Sequence, residues 1–114
     1  MDGPEITNFA EYQHASAKTA VFPKEKALEY LTLGLVGEAG EIANKVKKII
    51  RDDNGELTWE KKKEIVDECG DVLWYLSQIL DSLDVSLRGT AQRNLDKLYS
   101  RKKRGTLKGS GDNR

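Results

Sequence analysis

Apolar residues in this chain recur at three-, four- and seven-residue steps and nowhere alternate with polar ones long enough to describe a strand. Leu28, Leu31, Leu35, Ile42, Val46 and Ile49 mark one face of a helix expected from about Lys24 to Arg51. Ile65, Cys69, Val72, Leu76, Ile79 and Leu83 give the buried stripe of a second long helix, from Trp59 to about Leu83, with Thr58 as its N-cap. Between them lies the polar run Arg51, Asp52, Asp53, Asn54, Gly55 and Glu56, whose Asn-Gly pair signals a turn. A shorter helix is expected earlier, capped by Thr7, running to about Thr19 and broken at Val21, Phe22 and Pro23. Another starts at Asp84 or Ser86 and carries Leu87, Ala91, Leu95 and Leu98 on one side. The fold class is all-α: a four-helix bundle-like domain over residues 1–104 around an antiparallel helical hairpin. Residues 105–114, rich in glycine and polar groups, are expected to form a flexible tail.

The charged positions change the picture most within the hairpin. Glu38 and Asp71 have their midpoint between Asn54 and Gly55, and so do Glu41 and Glu68. If the helices fold back on each other, these acids meet as two pairs across the hairpin. At about 100° per residue, Glu38 falls at the edge of its helix's apolar arc, Glu41 lies further out, and Glu68 sits beside the arc of the other helix. Glu-x-x-Glu and Glu-x-x-Asp spacings alone are common on solvated helices; matched pairs on opposed helices are not. Four acids facing one another would repel, so the arrangement makes sense as a cage for a cation. With carboxylates only, Mg²⁺ suits it first and Mn²⁺ second. A ferritin-type centre would need Glu-x-x-His pairs that His14 cannot supply, and an EF-hand register would put Ile50 and Lys61 at ligand positions. Gly34, Gly37 and Gly40 flank the acids, each costing on the order of 1 kcal/mol in a helix, and could admit either a close helix or a ligand. They are not followed by the Gly-Lys-Ser/Thr of a phosphate-binding loop.

Composition bounds these readings. The chain has 114 residues, with 38% hydrophobic and 33% charged, the size of one domain with a modest core. Lys+Arg and Asp+Glu are equal at 19 each, which removes net charge as an argument for binding nucleic acid or a membrane surface. No apolar run nears the roughly 20 residues needed to span a bilayer. Cys69 is the sole cysteine, and the first residues lack the order of a signal peptide, so a cytoplasmic location is expected. His14 and Cys69 have no partners at ligand spacing. Lys45, Lys48, Lys97, Arg101 and Arg104 are candidates for phosphate contacts, with Lys45 equally able to pair with Glu41 four residues before it. Trp59 and Trp74 point away from the buried stripe, Trp74 lying opposite the acids, and suggest an oligomer interface.

The segments LGLVGEAGEIANKVKK and EIVDECGDVLWYL resemble the MazG-like family of all-α nucleoside triphosphate pyrophosphohydrolases. FAEYQHASAKTA near the N-terminus, and Asn94, Lys97, Leu98 and Arg101, extend the likeness over most of the chain. The family motif reads EExxE followed by ExxD; Gly37 stands at the first glutamate, and Glu38, Glu41, Glu68 and Asp71 match the rest. The resemblance implies that these four hold Mg²⁺, and that a nucleoside triphosphate is cut between its α and β phosphates, as in nucleotide-pool housecleaning. It also implies that Tyr75 and Asn94 contact sugar or base, and that the chain forms a homodimer or homotetramer. Glu38 or Glu41 would activate the water, with Glu38 favoured as base because partial burial raises its pKa. Competing readings are a related all-α dUTPase or phosphoribosyl-ATP pyrophosphohydrolase, and a helical interaction module whose acids are only solvated surface.

Overall fold

The computed structural model describes residues 2–105 of the chain. It contains α1 (Phe9–Ala17), α2 (Ala27–Asp52), α3 (Trp59–Ser82) and α4 (Leu87–Arg104), with one 3₁₀ turn at Lys24–Lys26 and no strand among the described residues. The expectation for residues 106–114 lies outside the described residues. Among the described residues no helix is long and apolar enough to cross a membrane.

The hairpin of α2 and α3 dominates the fold. Its loop turns through Asn54 and Gly55, both at positive φ, and the Gly55 amide donates to the Ile49 carbonyl at 3.1 Å, which closes α2. Thr58 caps α3 as expected, its hydroxyl accepting from the Lys61 amide. α1 is capped by Asn8 rather than Thr7: the Asn8 carboxamide accepts from the Glu11 amide at 2.8 Å. Thr7 takes the neighbouring role, donating its amide and hydroxyl to the Glu11 carboxylate. Ser86 caps α4, and Gly105 ends it in the left-handed region.

α1 lies across α3, while α4 contacts α1 and α3 without a close approach to α2, so the bundle is open on one side. Gln13 fixes the corner: its amide nitrogen donates to the Val85 carbonyl and its oxygen accepts from the Leu87 amide, both at 2.9 Å. Where α1 crosses α3 the contact is polar, with Ser16, Ser77 and Gln78 buried together.

Only Leu31, Ile49 and Leu87 are buried apolar side chains among the described residues. Several positions expected in the buried stripes are instead exposed: Leu28, Val46, Cys69, Leu76, Leu83 and Leu95. The apolar arcs of α2 and α3 are wider than one neighbouring helix can cover, so the hairpin buries one row and leaves the flanking rows outside. Trp59 is exposed as expected, but Trp74 is not an outward platform. α1 occupies its side of α3; the indole donates to the Thr19 hydroxyl at 2.8 Å and meets the Tyr75 ring edge-on at 5.0 Å.

Candidate metal centre

The turn at residues 54–55 fixes which side chains face each other across the hairpin. Gly34 lies against Tyr75, Glu38 stands beside Asp71 and Lys45 pairs with Glu64, and all three pairs share the midpoint between Asn54 and Gly55. The helical register therefore carries the symmetry of the sequence into space.

Glu38, Glu68 and Asp71 each present a carboxylate oxygen within 4.8 Å of the others. A hydrogen bond with Glu68 raises the Glu38 pKa above its ordinary value, and burial and the charges of Asp71, Glu68 and Glu41 push the same way. Oxygen Oε2 of Glu68 is buried with no hydrogen-bond partner. An acceptor out of water without a donor is costly, and a cation would satisfy it. Three converging carboxylates with one orphaned oxygen fit a hard divalent ion. Glu41 contributes charge to Glu38 but does not join the three acids. Three residues on from Glu38 it is turned about 60° further round α2, away from α3, and it is exposed.

One turn beyond the acids, Tyr75 fills the space over Gly34. A Cβ at Gly34 would overlap the phenol ring, whereas Cβ atoms at Gly37 and Gly40 would meet nothing within 4 Å. Close packing thus explains Gly34 but neither of the other two glycines. Burial first, then Tyr30, Glu38 and Asp71, raise the Tyr75 pKa and keep the phenol protonated as a donor. Tyr30 in turn stacks on Phe22 with ring centroids 5.7 Å apart. From α1, Tyr12 is raised by burial and then by the charge of Asp71.

The remaining site residues are placed less closely. The Lys45 ammonium is 3.4 Å from Glu64, across the hairpin, rather than on Glu41, and Lys61 shares the same carboxylate at 3.7 Å. Lys48 is half-buried one turn further along α2 and acts on Asp52. Asn94 is exposed, Lys97 half-buried and Arg101 buried on α4. The charges named as acting on Glu38 come from Asp71, Glu68 and Glu41 on α2 and α3. Tyr12, Tyr30 and Phe22 were not singled out by spacing. Tyr30 could have been, since it precedes Gly34 by one helical turn on the side that receives Tyr75.

A family model described as the MazG nucleotide pyrophosphohydrolase domain matches residues 26–106, which includes the whole hairpin and α4. The chain is 53% identical over 109 residues to "Gene 37 protein" of Mycobacterium phage L5, an alignment covering 90% of this chain and 96% of that protein. No solved structure matches the chain.

Proposed function

The chain belongs to the MazG nucleotide pyrophosphohydrolase family, and from that premise we propose that it hydrolyses a nucleoside triphosphate between the α and β phosphates, releasing the monophosphate and pyrophosphate. The observation that carries this reading is the convergence of Glu38, Glu68 and Asp71 around a buried, unpartnered Glu68 oxygen. Those three residues would hold Mg²⁺, with Mn²⁺ as the alternative. Bound there, the ion supplies Lewis acidity toward phosphate oxygens and lowers the pKa of a water. Glu41, outside the three acids and open to solvent, is better placed than Glu38 to orient that water and take its proton, because Glu38 is committed to Glu68 and Asp71. Tyr75 donates its phenol proton toward the nucleotide from the wall of the same seam. Lys45 and Lys48 follow Glu41 along α2 as partners for the leaving phosphates, Lys45 exchanging its partly exposed contact with Glu64 for phosphate oxygen. Asn94, Lys97 and Arg101 are assigned to sugar and terminal phosphates by their match to the family segment. The work fits clearance of nucleotides from a cytoplasmic pool.

The other face of the hairpin supports a homodimer, or a tetramer built from dimers. Leu28 and Val46 on α2 are 50% and 43% exposed, and Leu76 and Leu83 on α3 are 40% and 52% exposed. With so few apolar side chains buried inside one copy, a second copy laid on this face would complete the core.

The test is ³¹P NMR of products after incubation with ribo- and deoxynucleoside triphosphates and Mg²⁺. Pyrophosphate and monophosphate, absent when EDTA is present, are expected. Release of inorganic phosphate instead, or products unaffected by EDTA, would contradict the reading.

A further inference from the structure

We propose that the cavity closed by Gln78 and Phe22 at the far end of the acid seam receives the nucleobase, and that Gln78 selects bases carrying an exocyclic amino group, of cytosine or adenine type. The proposal rests on the triphosphate reading above and names the substrate class of that same site. Gln78 follows Asp71 by seven residues, two turns of α3, which puts it about 10 Å along the helix and within about 20° of the same side. That is the reach of a nucleoside from its 5′ phosphate to the far edge of its base. Tyr75, one turn from Asp71, stands between the two, and Tyr30 stacks on Phe22 in the cavity lining, so aromatic side chains accompany the path from the acids toward this cavity.

The cavity measures about 330 Å³, with Phe22, Ala27, Gln78 and Ser82 among its lining residues. Its hydrogen-bonding character is set by Gln78, which is only 2% exposed. The carboxamide nitrogen donates to the Ser16 hydroxyl oxygen at 2.9 Å. The Ser16 proton has the Gln13 carbonyl at 3.1 Å and the Ser77 hydroxyl at 3.3 Å as acceptors, which leaves its oxygen to receive the NH₂ end of the amide. The amide oxygen is then the group left for the cavity, as an acceptor. Ser82 adds no donor, because its hydroxyl proton goes to the Ile79 carbonyl at 2.7 Å. The charged side chains in the lining are two carboxylates, Asp81 and Asp84, against one ammonium, Lys24. An amino group on the base meets acceptors here; a carbonyl at the same ring position would face the Gln78 oxygen and leave both acceptors unpaired.

The experiment compares kcat/KM for two substrate pairs, CTP against UTP and ATP against ITP, in which an amino group is exchanged for a carbonyl and the adjacent ring nitrogen gains a proton. The native protein is expected to favour the amino member of each pair by about tenfold or more. Gln78→Met should bring both ratios close to one, and Ser16→Ala, which frees the amide to turn over, should lower them. Ratios within one variant are insensitive to a loss of folded protein, and Ser16→Ala carries the test if Gln78→Met fails to fold. Equal turnover of all four by the native protein overturns base selection while leaving the triphosphate reading intact, as does a preference that survives both substitutions. Pyrophosphate release from none of the four overturns the reading on which the proposal stands, and the proposal with it.

Discussion

The two faces of the α2–α3 hairpin are built from the same helices and reach opposite solutions. On one, side chains are matched across the register: Gly34 with Tyr75, Glu38 with Asp71, Lys45 with Glu64. On the other, Leu28, Val46, Leu76 and Leu83 match the apolar pattern yet stand exposed. The matched face contains its own strain, since three acids converge and one buried oxygen has no donor. The unmatched face is strained only by water. On the proposed reading a cation would relieve the first and a second copy of the chain the second, so that different ligands would complete the two sides of one scaffold.

The largest effect should come from the acid side. Asp71→Asn or Glu68→Gln is expected to lower turnover of the preferred triphosphate by ~10³-fold or more, the scale of several kcal/mol of transition-state stabilisation. Thermal unfolding without metal should stay at the native temperature or rise, because repulsion among the acids is reduced. Unfolding of these variants under native conditions would mean that the acids hold the hairpin together instead of straining it.

Next in size is the opposite face. Leu28→Asp together with Leu83→Asp is expected to weaken self-association by about 100-fold or more, seen by sedimentation as a shift from dimer to monomer at micromolar concentration. Association unchanged by these substitutions would place the interface elsewhere.

Gly34→Ala sharpens the comparison on the matched side. Helix propensity alone would stabilise α2 by about 1 kcal/mol. Overlap with the Tyr75 ring acts against it, and the net is expected to be a loss of about 1–2 kcal/mol in denaturant unfolding. In a Tyr75→Leu background the same substitution should become neutral or stabilising, whereas Gly37→Ala and Gly40→Ala should be neutral or stabilising in the native chain.

The smallest effect is a pH dependence. Glu38 is held above its ordinary value of 4.5, chiefly by its hydrogen bond with Glu68. The folded chain therefore keeps this proton more tightly than the unfolded chain does, and the contribution to stability is fully present below 4.5 and lost as pH rises through the raised value. Glu11 and Glu64, both lowered by hydrogen bonds, contribute in the opposite sense, losing stability as pH falls. The difference in unfolding temperature between native protein and Glu38→Gln, without metal, isolates the Glu38 part. It should widen in favour of the variant as pH climbs from 4.5 to neutrality, and millimolar Mg²⁺ should close it.

Much of the matched face was legible in the sequence because it depends on local rules. Asn54-Gly55 sets the turn, Thr58 caps α3, and an unbroken 3.6-residue period on each side fixes which residues are opposed. Glu41 was legible only in part: equal spacing from the turn places it opposite Glu68, while the step of about 100° per residue already puts it further round α2 than Glu38, and the three converging acids do not include it. The outer face was misread because periodicity identifies an apolar stripe without saying how many neighbours are present to cover it; Leu28, Leu76 and Leu83 match the pattern yet are exposed. Trp74 was misplaced for the converse reason, because only tertiary packing reveals that α1 lies over it.

The central claim is that Glu38, Glu68 and Asp71 form a divalent-cation site serving triphosphate cleavage. The most direct measurement is Mn²⁺ binding followed by electron paramagnetic resonance, with Mg²⁺ as competitor, on the native protein and on Glu68→Gln. The account predicts saturable binding by the native chain, displaced by Mg²⁺ and lost or at least about tenfold weaker in the variant. Equal Mn²⁺ binding by the two proteins, or none by the native protein with or without a nonhydrolysable triphosphate, would contradict it.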